Sequence, residues 1–111
     1  MLNNVMLVGR LANDIEKKTL EGGKEVLKIS LAVSRSYKNP DGIYETDFID
    51  CVLWDELANN LSEYCRKGDV IGVRGRLQVS TYEKDDIKRK VVEVVAEKIT
   101  FLSSKHKDEE E

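Results

Sequence analysis

Histidine, proline and cysteine are nearly missing from this sequence, and each scarcity removes a class of function. The one histidine, His106, stands beside an acidic C-terminal stretch, outside any patterned segment. Neither a Ser-His-Asp or Cys-His constellation nor a His-rich metal site can be built from it. No catalytic residue, no metal and no other cofactor is therefore expected. Two cysteines without a leader do not make a disulfide framework. One proline and seven glycines, with 41% hydrophobic and 35% charged residues, exclude a collagen-like or disordered chain. No apolar run approaches the ~20 residues that span a bilayer, and Met1-Leu2-Asn3-Asn4 lacks the positive charge of a secretory leader. With 111 residues there is room for one core. The expectation is a single-domain, reduced, cytosolic protein without membrane attachment.

The formal charge is −3, from 18 basic and 21 acidic residues, but the acids are unevenly spread. Asp108, Glu109, Glu110 and Glu111 lie together at the end. Without residues 107–111 the body balances at 17 basic against 17 acidic residues. A neutral body can still gather its cations on one face, so net charge alone does not exclude a polyanionic partner.

The patterning that is present is mostly of period two. Val5–Leu11 is β-prone and apolar on both faces, as in a strand covered on each side. The charged stretch 14–24 closes on the turn signal Gly22-Gly23. In Val26–Tyr37, Leu27, Ile29, Leu31 and Val33 share one face, which continues as Arg35 and Tyr37. That change from aliphatic to charged and aromatic predicts a strand running past the core into a projecting hairpin, with Asn39-Pro40-Asp41-Gly42 as its turn. In Tyr44–Trp54, Ile49, Cys51 and Leu53 alternate with Phe48, Asp50, Val52 and Trp54.

The period then changes to that of a helix. Asp55 is positioned to N-cap it, Leu57, Leu61 and Cys65 recur every four residues with Ala58 and Tyr64 alongside, Arg66 and Lys67 would occupy the last turn, and Gly68 follows. Asp69–Tyr82 returns to strand, with Ile71, Val73, Gly75, Leu77 and Val79 on the core face and Arg74, Arg76, Gln78, Ser80 and Tyr82 opposite. Gly75 marks a bend. A polar turn at 83–87 leads to a last strand, Lys88–Leu102. Five long strands with one helix between the third and fourth predict an all-β fold, a five-stranded Greek-key barrel of the oligonucleotide/oligosaccharide-binding (OB) class, over residues 1–102, followed by a short acidic tail, 103–111.

Four aromatic residues from three strands, Tyr37, Phe48, Trp54 and Tyr82, fall away from the aliphatic set. Phe48 and Trp54 share a face six residues apart, so their backbones are about 20 Å apart at ~3.3 Å per residue. That spacing is too long for one small ligand and suits a track of several flat groups. Arg35, Arg74 and Arg76 accompany them by parity. Aromatic faces interleaved with cations are what single-stranded nucleic acid requires: each base offers a π-face, each linkage a phosphate. Lys88-Arg89-Lys90 is a weaker signal, partly cancelled by Asp85 and Asp86.

Other patterns carry less. Cys51 and Cys65 fall among core positions, and their separation is not a zinc spacing. Gly72-Val73-Arg74-Gly75 lacks the Gly-Lys-Ser/Thr ending of a phosphate loop. Asp47 and Asp50 differ in parity, and Asp85 and Asp86 sit in a turn, which leaves no carboxylate pair placed to hold Mg²⁺.

The ordered segments Asn4-Val5-Met6-Leu7-Val8-Gly9-Arg10-Leu11, Ile29-Ser30-Leu31-Ala32-Val33, Thr46-Asp47-Phe48-Ile49-Asp50-Cys51-Val52-Leu53-Trp54, Leu57-Ala58, Tyr64-Cys65-Arg66-Lys67-Gly68 and Val73-Arg74-Gly75-Arg76-Leu77, with Tyr82 beyond, resemble the bacterial single-stranded DNA-binding proteins over residues 1–102. The resemblance implies a homotetramer of such barrels that wraps single-stranded DNA without sequence preference, in replication, recombination, repair or uptake of DNA. It places the family's stacking aromatics on Tyr37, Phe48, Trp54 and Tyr82, and its basic binding surface on Arg10, Lys28, Arg35, Arg74 and Arg76. The chain departs from family members serving replication at its end: Ser103 to Glu111 keeps acids but has neither the long linker nor the apolar tip. The resemblance is thus to a short-tailed form, in which tail-mediated recruitment of replication enzymes is expected to be weak or absent. Preference for DNA over RNA rests on the resemblance alone, and a protein–protein adaptor using the same barrel face is the alternative from another class.

Overall fold

The computed structural model describes residues 1–103. The acidic stretch 108–111 and His106 lie outside the described residues. Six strands and one helix follow in order: β1 (Val5–Leu11), β2 (Lys18–Thr19), β3 (Glu25–Lys38), β4 (Tyr44–Trp54), α1 (Asp55–Tyr64), β5 (Val70–Lys84) and β6 (Ile87–Ser103). Hydrogen bonding runs β1-β5-β6-β4-β3-β2, and β1 also pairs with β3 through Arg10↔Ala32 and Leu11↔Leu31. That second pairing of β1 closes the five long strands into a barrel. All their contacts are antiparallel except β4 with β6, which run parallel at Cys51↔Val94 and Val52↔Val95. The expected OB-type barrel is the observed one.

Alternation drives the closure. Leu27, Ile29 and Leu31 of β3, Cys51 and Leu53 of β4, Ile71 and Val73 of β5, and Val94 and Ala96 of β6 point inward with Leu11. Ala58 and Leu61 of α1, with Cys65 just after it, join the same cluster, so the helix plugs one end of the barrel. Gly75 stands where β5 and β6 slip register, between Arg74 and Gly75. A Cβ there would come within 2.2 Å of the Val95 carbonyl oxygen, so only glycine allows the two backbones to approach at this bend.

Three local expectations are corrected. Asp55 does not cap α1. Trp54 occupies the N-cap position without a side-chain bond, and the Asp55 carboxylate instead accepts the Glu25 N–H at 3.0 Å, with Asp55 itself at φ 50°. The helix ends at Tyr64, ahead of Arg66 and Lys67, because Cys65 is already extended. Asp69, buried behind the turn, accepts the Arg66 N–H at 2.9 Å, a local bond that competes with another helical turn. Leu77 and Val79 keep the parity of the core face but are exposed, since the β5–β6 hairpin runs past the barrel wall and has nothing opposite that face. Asp85 and Asp86 both take positive φ, the conformation a two-residue hairpin turn demands. Among the described residues no helix is long and apolar enough to cross a membrane.

Candidate nucleic-acid interface

The outer face of β3 and β4 carries the candidate site. Val26 pairs with Trp54, Lys28 with Val52, Ser30 with Asp50 and Ala32 with Phe48. Trp54, Val52, Asp50 and Phe48 therefore step along one outward face of β4, with Lys28 beside Val52. Val26 and Val52 are nearly covered and floor a groove of about 610 Å³. One wall is the loop after β1 with β2 (Asn13, Asp14, Glu16, Lys18, Leu20); the other is the β5–β6 hairpin (Gln78, Ser80, Glu93). A second groove of about 310 Å³ shares Asn13, Lys28 and Glu93 with the first and continues past Ser30 and Asp50 towards Phe48. Asn13 braces the near wall: its Oδ1 accepts the Ser30 N–H at 2.7 Å and its amide donates to the Lys28 carbonyl at 3.3 Å.

All four predicted stacking residues are exposed. Phe48 and Tyr37 are the most open at 66% and 65%, Tyr82 follows at 47%, and Trp54 is the most sheltered at 40%. Tyr82 continues the face of β5 that carries Gln78 and Ser80 into the groove. Tyr37 lies on the part of the β3–β4 hairpin that projects beyond the core, where Asn39 closes the turn by accepting the Asp41 and Ile43 N–H groups, each at 3.0 Å.

The five predicted cations are scattered. Lys28 lines the Trp54 groove. Arg76 touches its rim by donating to Gln78 Oε1 at 3.1 Å. Arg35 is already paired, donating to Asp47 through Nε (3.1 Å) and Nη2 (3.0 Å) and to Glu45 through Nη1 (2.6 Å). That bonding holds the Asp47 carboxyl below its ordinary range and raises the guanidinium. Arg10 donates to the Gly68 carbonyl. Arg74 does not join the Trp54 groove: it lies opposite Met6 and Lys98 and lines a separate depression with Val8, Gly72, Thr100 and Leu102 on the β1–β5–β6 face. Parity along one strand cannot reveal this, because closing the barrel turns the outer face of β5 at Arg74 away from that of β4.

Two lysines escaped the sequence reading. Lys18, on β2, lines the groove, and the Lys24 Nζ stands 5.9 Å from the centre of the Trp54 ring. Both belong to the charged stretch before β3. The available signal was the Gly22-Gly23 turn, both glycines at positive φ, which folds that stretch back on β3 through Lys18↔Val26 and Thr19↔Glu25.

Residues 2–102 match the model of the single-strand binding protein family. The chain belongs to that family. It is 40% identical over 109 residues to single-stranded DNA-binding protein B of Bacillus subtilis, covering 97% of this chain and 96% of that one. It is 46% identical over 106 residues to single-stranded DNA-binding protein 3 of Listeria innocua, covering 95% of this chain and 66% of the relative. A solved structure, a Plasmodium falciparum SSB complex with single-stranded DNA, superimposes with a TM-score of 0.83 at 26% identity over 93% of this chain and 96% of that one. The barrel of this family member is the scaffold on which the groove and its exposed rings are built.

Proposed function

We propose that this chain binds single-stranded DNA without sequence preference and shields it from nucleases and re-pairing, with residues 1–102 as the binding domain. The observation that carries the reading is the line of exposed rings, Trp54 and Phe48 on one face of β4 with Tyr37 and Tyr82 on the two flanking hairpins. Unpaired bases can stack on such a line, at about 1–3 kcal/mol per base, whereas a duplex hides its π-faces. The action is binding alone, without a catalytic step, and it belongs to DNA replication, recombination, repair or uptake in the cytoplasm.

We also propose a homo-oligomer, a tetramer being the arrangement the family resemblance implies. Its support in this chain is the β1–β5–β6 face, where Met6, at 80% exposure, and Val8, at 60%, stand beside Gly72 and Leu102. Exposed apolar side chains grouped like this, with Arg74, Lys98 and Thr100 among them, are the kind of surface that symmetric assemblies bury against another copy.

The test is competition for labelled oligo-dT by unlabelled oligo-dT, duplex DNA and RNA of matched length. The reading requires efficient displacement by oligo-dT and little by duplex. Stronger displacement by RNA than by oligo-dT would reassign the substrate.

A further inference from the structure

The predicted arginines leave the Trp54 end of the track short of positive charge. Arg74 faces another depression, Arg35 is held by Asp47 and Glu45, Arg10 bonds to the Gly68 carbonyl, and Arg76 alone reaches the rim of the groove, through Gln78 on the wall across from β2. The groove itself is lined by Asp14, Glu16 and Glu93 against Lys18 and Lys28, more acids than bases. A strand whose base stacks on Trp54 must bring phosphates to this spot, and each needs a cation to replace its condensed counterion.

We propose that Lys24 is a further DNA-binding residue, which shelters the Trp54 ring in the free protein and pairs with the phosphate beside the base stacked there. The inference rests on the single-stranded DNA reading above. Its geometry is the ammonium 5.9 Å from the ring centre, within the range of attraction between a cation and an aromatic face. Its setting is a hairpin fixed against the start of α1. Glu25, next to Lys24, donates its N–H to Asp55, the residue after Trp54, and its carboxylate pairs with Lys17 at 3.3 Å. Lys17 also donates to Asn59 of α1. Within the hairpin, Leu20 N–H bonds to the Lys24 carbonyl at 2.7 Å. The backbone that carries Lys24 is thus registered to the backbone that carries Trp54, while the lysine stem is free to swing from ring to phosphate. Trp54 is the least exposed of the four stacking residues.

The experiment measures the salt dependence of oligo-dT binding for the full chain and for Lys24→Ala, Lys24→Arg and Lys67→Ala, the last a lysine in the turn after α1. Lys24→Ala should flatten the slope of log K against log[salt] by roughly 0.7, one phosphate's worth on a single strand. It should also weaken binding by several-fold at low salt and change Trp54 emission before any DNA is added. Lys24→Arg should restore the slope, and Lys67→Ala should leave it as it was. An unaltered slope in Lys24→Ala, or equal flattening by Lys67→Ala, would overturn the inference while leaving the single-stranded DNA reading intact. Failure of the unaltered protein to bind oligo-dT would overturn that reading and the inference with it.

Discussion

Arg35 and Asp47 face each other across β3 and β4 in a two-pronged ion pair, with both guanidinium contacts near 3 Å and Glu45 taking the third donor. An arginine in the projecting hairpin that looks available for phosphate is thereby already neutralised. Asp47→Asn should free its Nε and Nη2, leaving Glu45 as its one carboxylate partner, and steepen the salt dependence of oligo-dT binding by up to roughly 0.7, one further phosphate. Because the pair holds the Asp47 carboxyl below its ordinary range, the difference between variant and parent should persist through mildly acid pH. It should fade only when pH falls through that lowered value and Asp47 becomes protonated. An unchanged slope both in Asp47→Asn and in Asp47→Asn combined with Glu45→Gln would mean that Arg35 never reaches the strand.

Gly75 makes a claim about the fold itself. Its missing Cβ would sit 2.2 Å from the Val95 carbonyl oxygen and 3.1 Å from the Ala96 Cα, both backbone atoms that cannot turn aside. Gly75→Ala should cost about 1–3 kcal/mol, the usual penalty of overpacking, measured by urea unfolding. Gly23→Ala provides the contrast: a Cβ there meets nothing within 4 Å, so its cost comes only from the positive φ.

The two thiols should behave as buried apolar groups. Burial pushes both Cys51 and Cys65 up to about 11 from the ordinary 9.0. In the unfolded chain the thiols ionise above about pH 9, while the folded ones stay protonated until about 11. The stability that their burial confers is complete below pH 9 and is lost progressively between those values. Folded protein at pH 8 should resist a thiol-specific disulfide reagent that labels the urea-unfolded chain at once. Rapid labelling of both cysteines in the folded protein would contradict their place in the core.

Self-association should depend on β1. Met6→Asp or Val8→Asp puts a charge on the outward face without touching the barrel interior, so the fold should survive while the assembly dissociates. Light scattering should report a lower mass for either variant with an unchanged circular dichroism spectrum. A parent protein that is monomeric at micromolar concentration would remove the proposed oligomer altogether.

The barrel was legible in the sequence because alternation in β3, β4 and β5 is nearly unbroken and the only helical period lies between 55 and 65. The exposure of the four rings was legible too: Phe48, Trp54 and Tyr82 stand on the face opposite to a run of aliphatics, and Tyr37 on the extension of β3 beyond its aliphatic run. The grouping of the arginines around them was not. Which arginine accompanies which ring depends on how far the sheet coils before it closes, and on carboxylates such as Asp47 that sit on the neighbouring strand. β2 escaped because two residues carry no period, and with it went Lys18 and Lys24. Leu77 and Val79 read as core since parity reports a face but not what stands opposite it.

Trp54 is the only tryptophan in the chain, so its emission reports directly on the groove. The most direct test of the account is titration of that emission with unstructured oligo-dT and with duplex DNA of matched length. Stacking on the indole predicts strong, saturable quenching by oligo-dT and little by duplex, and Phe48→Ala, further along the track, should lower the affinity without changing the amplitude. Equal quenching by duplex and single strand would contradict the stacking account and leave only a charged surface.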